Sequence, residues 1–190
     1  MRSGKTDAGL FFTASPLKLV LLSVFTFGYY EFYWFYRNWL LYKARSEKRV
    51  RPLWRATFAP LWAYSLFKKI EGEAVSHGFP VTPGAAILAG AYVLLFIVHL
   101  LPDPVNAVSV LTVIPIFLAN RMASSVNVAV VPGYKENARF GILNITTLFF
   151  GIILVGLSVA AKFYDGPSLL EMSQESGFSF GAKMQSRLGR

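Results

Sequence analysis

Long apolar runs, separated by short basic or proline-containing breaks, set the pattern of this 190-residue chain. Four of them approach the roughly 20 residues that carry a helix across a bilayer core: 17–36, 84–101, 105–119 and 140–161. Three are preceded by a capping side chain and a proline, at Ser15-Pro16, Thr82-Pro83 and Asp103-Pro104. A side-chain oxygen there accepts an orphan N–H, and proline at the first helical position gives up no useful donor. Arg51-Pro52 opens a further segment without the cap. The first run continues into an aromatic cluster with no small-x-small cleavage site after it, so it is expected to stay in the mature protein.

Only Pro102, Asp103 and Pro104 separate the second and third runs, which predicts antiparallel neighbours. In the second run Ala85 and Ala89, and also Ala86 and Gly90, are small residues four apart, spaced for close helix approach. In the last, Gly141, Asn144, Leu148, Gly151, Val155 and Ser158 share one helical face, the predicted packing seam. A polar transport path along Asn144 and Ser158 is the rival reading of that face. The sequon Asn144-Ile145-Thr146 lies inside a span and is discounted as a glycosylation site. Segment 52–70 has an uncharged stretch too short to span and is interrupted by Pro60, which predicts an interfacial or re-entrant helix with Trp54 and Trp62 at headgroup depth. The expected fold is therefore all-α: a polytopic membrane protein of about four transmembrane helices plus that one helix. It forms a single domain over 1–165, followed by a tail at 166–190.

Composition agrees with this pattern. Hydrophobic residues make up 54% of the chain and charged residues 15%, against about 45–50% and 25% in soluble domains. The absence of cysteine excludes disulfides, thiolate metal sites and a thiol nucleophile. The net charge of +9 flanks apolar runs instead of lining a polar groove, so it points to anionic lipid headgroups and away from nucleic acid. The cations concentrate between the first two long runs, which predicts a cytoplasmic loop over 37–83. With four crossings both termini fall outside, although Arg2, Lys5 and Lys18 argue against export. The alternative is that 17–42 is a hairpin bent at Gly28.

The aromatic residues of 29–42 cover every face of a helix, as a ring-rich interfacial belt does. Trp34, Arg37, Trp39, Lys43, Trp54, Arg55 and Trp62 are the candidate headgroup contacts. Glu31 is an ionisable group inside a run and hence a functional candidate, with snorkelling or pairing to a cation as its structural reading. The stretches TFGYYEFYWFYRNW, PLWRATFAPLWAYSLFKKI and ANRMASSVNVAV resemble a group of small uncharacterised bacterial membrane proteins whose first segment reads Thr-Phe-Gly, Tyr, Tyr-Trp-Phe-Tyr-Arg. The resemblance is best over 26–39 and implies a bacterial inner-membrane location, multi-pass. It brings no activity and no catalytic residue.

Catalytic groups are sparse. No HExxH, GxSxG, P-loop or GxGxxG pattern occurs. His77 lies in a loop, and His99 near the outer end of a span, where a structural hydrogen bond competes with a relay role. Asn120, Ser124 and Asn127 recur at helical spacing, either bonding across helices or lining a polar cleft. No cofactor or metal is expected. The expected function is a non-enzymatic accessory or assembly subunit that packs against a membrane-protein partner or a second copy. The alternatives are a small transporter or channel component with a polar path near Glu31, His99 and Asn144, and a membrane enzyme acting on lipid.

Overall fold

Glycine and proline place most of the breaks between helices. The computed structural model describes residues 9–47, 49–102 and 105–162. Among them it shows α1 (Pro16–Phe25), α2 (Tyr29–Arg45), α3 (Pro52–Thr57), α4 (Ala59–Ser76), α5 (Ala85–Val98), a 3-10 helix (Val105–Thr112), α6 (Val113–Val130) and α7 (Ile142–Lys162). The all-α expectation holds, with one isolated parallel bridge between Ala14 and Asn137. Asp103-Pro104 and the 166–190 tail lie outside the described residues.

The first apolar run is not one helix. Phe27 and Gly28 take positive φ values of 51° and 84° and end α1, and α2 then starts afresh at Tyr29. Thr26 ties the two together: its hydroxyl donates to the Leu22 carbonyl and accepts from the Tyr30 N–H at 2.9 Å. With ten residues, α1 rises only about 15 Å, half of a bilayer core of about 30 Å. The bend lies at Gly28, where the hairpin alternative placed it. Pro16 stands at the start of α1 as predicted, but Ser15 makes no side-chain cap bond.

Segment 52–70 departs further from expectation. Pro60 sits at the second position of α4, so the chain breaks at Phe58 and restarts. The helix then continues to Ser76, six residues past the predicted end. Over that length its apolar residues fall into a stripe of Ala59, Ala63, Leu66, Phe67, Ile70 and Ala74, all buried. They pack against α5 and α6. That face of the helix is therefore part of the core. Within 37–83, the expected connection between the first two long runs, the end of α2, α3 and α4 are helical.

A carboxylate from α4 sets the start of α5. Thr82-Pro83 does not open the helix; Gly84 is its N-cap residue, and Glu71 Oε1 accepts the Ala85 N–H at 3.2 Å. A Cβ on Gly84 would lie 2.9 Å from that oxygen, so a larger residue there would make the carboxylate shift. Lys68 holds the other carboxylate oxygen. The lysine and the amide together keep the Glu71 carboxyl below its ordinary range. On α5, Ala85, Leu88, Ala89 and Tyr92 are buried. Of the two small-residue pairs, Ala85 and Ala89 thus pack inward, whereas Ala86 and Gly90 are exposed, with nothing within 4 Å of a Cβ built at Gly90.

The aromatic run of α2 divides in the same way. Trp34, Phe35 and Trp39 are fully buried. Phe35 stacks on Phe67 at 5.9 Å and meets Tyr92 at 5.4 Å. Trp34 and Trp39 are thus core residues, which corrects their placement at the headgroups. Arg55 lies between the Trp39 and Trp62 rings at 4.4 and 4.3 Å. Trp54 and Lys43 are exposed, Trp62 and Arg37 half-buried.

Among the described residues two helices are long and apolar enough to cross a membrane: Val110–Val130, mean hydropathy 1.4, and Ile142–Ala161, mean hydropathy 2.3. The predicted α7 seam is partly realised. Gly151 is buried against Phe25, whose carbonyl a Cβ would overlap, and Asn144 and Leu148 are half-buried while Gly141 is exposed. Compact packing extends to Ile152, and Ile153 begins a separate unit. Within that unit Ser158 is exposed and donates to the Leu154 carbonyl at 2.8 Å.

Gly151→Ala is expected to lower stability by about 1–3 kcal/mol through overpacking. Gly90→Ala, with open space around it, should raise stability by about 0.5–1 kcal/mol. Thermal melts in detergent compare the pair directly. Glu71→Gln should lower the melting temperature at neutral pH. Because the folded carboxyl lies below its unfolded value, its contribution is present above the ordinary carboxylate range and disappears as pH falls through the folded value. The two melting curves should converge in acid.

Candidate functional site

After a bend at Leu10 and Phe11, residues 12–15 run extended into the protein before α1. Pro16 favours this, since the residue before proline is biased away from the helical region, and Ser15 has φ −59° and ψ 148°. Phe11, Phe12, Thr13 and Ala14 are buried. A buried extended strand must find partners for its N–H and C=O groups, and here no neighbouring sheet supplies them. Three buried asparagines do so instead.

Asn127 accepts the Phe11 N–H at 3.0 Å and donates to the Phe11 carbonyl at 2.8 Å. Asn120 does the same for Ala14, at 3.0 and 2.8 Å. From the opposite side, on α2, Asn38 holds Phe12 at 3.0 and 3.1 Å. Each carboxamide thus stands in for the peptide unit of an adjacent strand. The register follows from helix and strand geometry. Asn120 and Asn127 are seven residues apart on one face of α6, about 10.5 Å along the axis. Ala14 and Phe11 are three apart on an extended chain, about 10 Å. The segment runs antiparallel to α6, and the two spacings match.

The 131–141 connection closes a third side. Asn137 exchanges main-chain bonds with Thr13 and Ser15 at 3.4 and 3.3 Å. The Thr13 and Tyr134 hydroxyls lie 2.6 Å apart. Ser124, on α6, donates to Glu136. Lys18, read from the sequence as a leader cation, is buried and donates to Asn137 Oδ1 at 2.9 Å and to the Arg139 carbonyl at 2.8 Å. Trp34 completes the seam: its indole N–H donates to Asn120 Oδ1 at 3.0 Å, which links α2 to α6.

The structure thus brings Asn120 and Asn127 together in a polar cleft, and their main partner is the chain itself. Asn38 was not singled out in the sequence, yet it carried a signal: an asparagine in the interior of a helix is unfavourable unless its amide has work outside the helix turn. Among the described residues Glu31 neither snorkels nor pairs with a cation. It is buried, and the Thr112 hydroxyl donates to it at 3.0 Å. His99 is exposed at the C-terminal end of α5, and Asn144 stands half-buried on α7. Among the described residues no three His, Cys, Asp or Glu side chains group as metal ligands.

No family model matches the chain, and neither the curated proteins nor the solved structures give a match. Asn127→Ala should leave two buried main-chain groups of Phe11 without partners and cost about 2–6 kcal/mol, at roughly 1–3 per group. Asn144→Ala serves as the comparison, with a change within about 0.5 kcal/mol. Denaturation in detergent measures both, and equal small losses would contradict the bonding described.

Proposed function

We propose that the protein is a non-enzymatic, multi-pass protein of the bacterial inner membrane, an accessory or assembly subunit that packs against helices of a partner or of a second copy. The observation that carries this reading is the surface of α7. In its 18-residue apolar window only 6% of residues are buried within the protein, and Ile142, Leu143, Phe149 and Phe150 are 59–83% exposed. Soluble proteins rarely leave an apolar surface of that extent to water, whereas lipid or another helix covers it without cost. In this reading α6 and α7 cross the bilayer, and the shorter apolar α1 and α5 lie within it, completing the four buried runs. Exposed Lys43, Arg45, Arg49, Arg51 and Lys68 face the cytoplasm and its anionic headgroups, with Trp54 beside them.

The polar groups of the cleft support a structural over a catalytic role, since their hydrogen bonds are taken up by the main chain of residues 11–14. One observation favours a transporter component as the second reading: Glu31 is a buried carboxylate whose hydrogen-bond donor is a neutral hydroxyl.

The protein should stay in the membrane fraction under alkaline carbonate and purify in mild detergent with a stoichiometric partner or as a homo-oligomer. A monodisperse species in buffer without surfactant would overturn the membrane reading. Glu31→Gln should leave partner recovery unchanged under the accessory reading, and abolish proton-coupled flux in vesicles under the transporter reading.

A further inference from the structure

We propose that the cleft formed by Asn38, Asn120 and Asn127 is a receptor site for an extended polypeptide, and that residues 9–14 of the chain fill it as a tethered ligand. The inference concerns the cleft alone and does not depend on how the protein meets the membrane.

The mode of contact is the first argument. Extended-peptide recognition combines hydrogen bonds to the ligand's main chain with pockets for alternate side chains. Both parts are present here. Both main-chain groups of Phe11, Phe12 and Ala14 are held by side-chain amides that approach from two helices. These bonds read the backbone and carry no requirement for a given side chain.

The pockets supply the requirement. Phe11 lies beneath the Arg45 guanidinium at 4.7 Å, and Phe12 meets the edge of Tyr33 at 5.5 Å and Arg37 at 5.3 Å. The Thr13 hydroxyl reaches Tyr134, and Ala14 is fully enclosed. At Gly9 a Cβ would collide with the Asn127 carboxamide. The site therefore selects the pattern Gly-x-Phe-Phe-Thr-Ala, bent at its second and third residues and extended after them. Arg45 also donates to the Leu10 carbonyl, so the main-chain reading covers the unselected position as well.

The manner of attachment is the second argument. On its C-terminal side the segment meets the receptor at Ser15, whose own carbonyl already accepts the Leu19 N–H as part of α1. The Ala14–Ser15 peptide link thus divides ligand from receptor on that side. Tethering raises the local concentration of the ligand but adds no contact, so the same hexapeptide in trans has the same bonds to make.

The test uses the full chain in mild detergent with a protease-cleavable linker inserted between Ala14 and Ser15. After cutting, the released fragment is expected to co-elute with the remainder, and a fluorescent peptide of residues 9–14 should exchange with it saturably. N-methylation at Phe11 and Ala14, which removes two donors, or Gly9→Ala in the peptide, should each weaken binding by at least about tenfold. A full-length Phe11→Asp variant, whose own segment no longer fits, provides an independent measurement: the peptide should bind it and raise its melting temperature. Binding that ignores N-methylation would reveal nonspecific apolar association and overturn the proposal, as would failure of the peptide to bind both the cut protein and the Phe11→Asp variant.

Discussion

A strand buried without a sheet must have its peptide groups hydrogen-bonded by something else, and that requirement organises the heart of this protein. Each unpaired buried main-chain group costs on the order of 1–3 kcal/mol, so the extended segment before α1 can exist only where a partner meets each peptide. Side-chain amides meet that need because a carboxamide carries an acceptor oxygen and a donor NH2 on the same carbon, so one side chain serves both the N–H and the C=O of a single residue. The demand then propagates outward. Asn120 and Asn127 must be seven residues apart on α6, Asn38 must face them from α2, and the 134–137 stretch must turn back to close the remaining side.

Around this polar centre the aromatic residues do two different jobs. The inner face of α2 places Trp34, Phe35 and Trp39 in the core, against Phe67 and Tyr92. Trp34 also belongs to the polar system, because its indole N–H shares the Asn120 oxygen with the Ala14 N–H. The outer rings meet cations: Arg37 over Phe12 and Tyr33, Arg55 between Trp39 and Trp62, and Lys69 over Tyr42. Several cations that read as headgroup contacts in the sequence are therefore committed to rings, while Lys43 remains exposed.

Most of the misplaced boundaries share one physical origin. Helix length was judged from uncharged stretches, but a helix packed in a core continues for as long as its buried stripe continues. Hence α4 passes Ile70, Glu71 and Glu73 to Ser76, and α6 passes Arg121 to Val130. The break at Phe27 and Gly28 is the opposite case: apolarity runs on while the backbone turns through positive φ. Hydropathy does not register a turn made within an apolar run, although Thr-Phe-Gly carries the glycine that makes it possible. The choice between Ala86 with Gly90 and Ala85 with Ala89 was undecidable from spacing, since both pairs are small residues four apart. Burial of Leu88 and Tyr92 on one side of α5 decided it.

The sequence by itself determined the all-helical class, the apolar character of α6 and α7, the proline-marked starts of α1 and α3, and the singling out of Asn120, Asn127 and Glu31. These are local properties, set by composition, period and the covalent limits of proline. Only the tertiary structure decided which chain atoms the asparagines hold, which tryptophans are interior, and that Glu71 rather than Thr82 starts α5. Each of those depends on contacts between residues tens of positions apart, such as Asn127 with Phe11 or Trp34 with Asn120. No local period encodes such contacts, because a side chain's hydrogen-bond partner is chosen by packing and not by its neighbours in the chain.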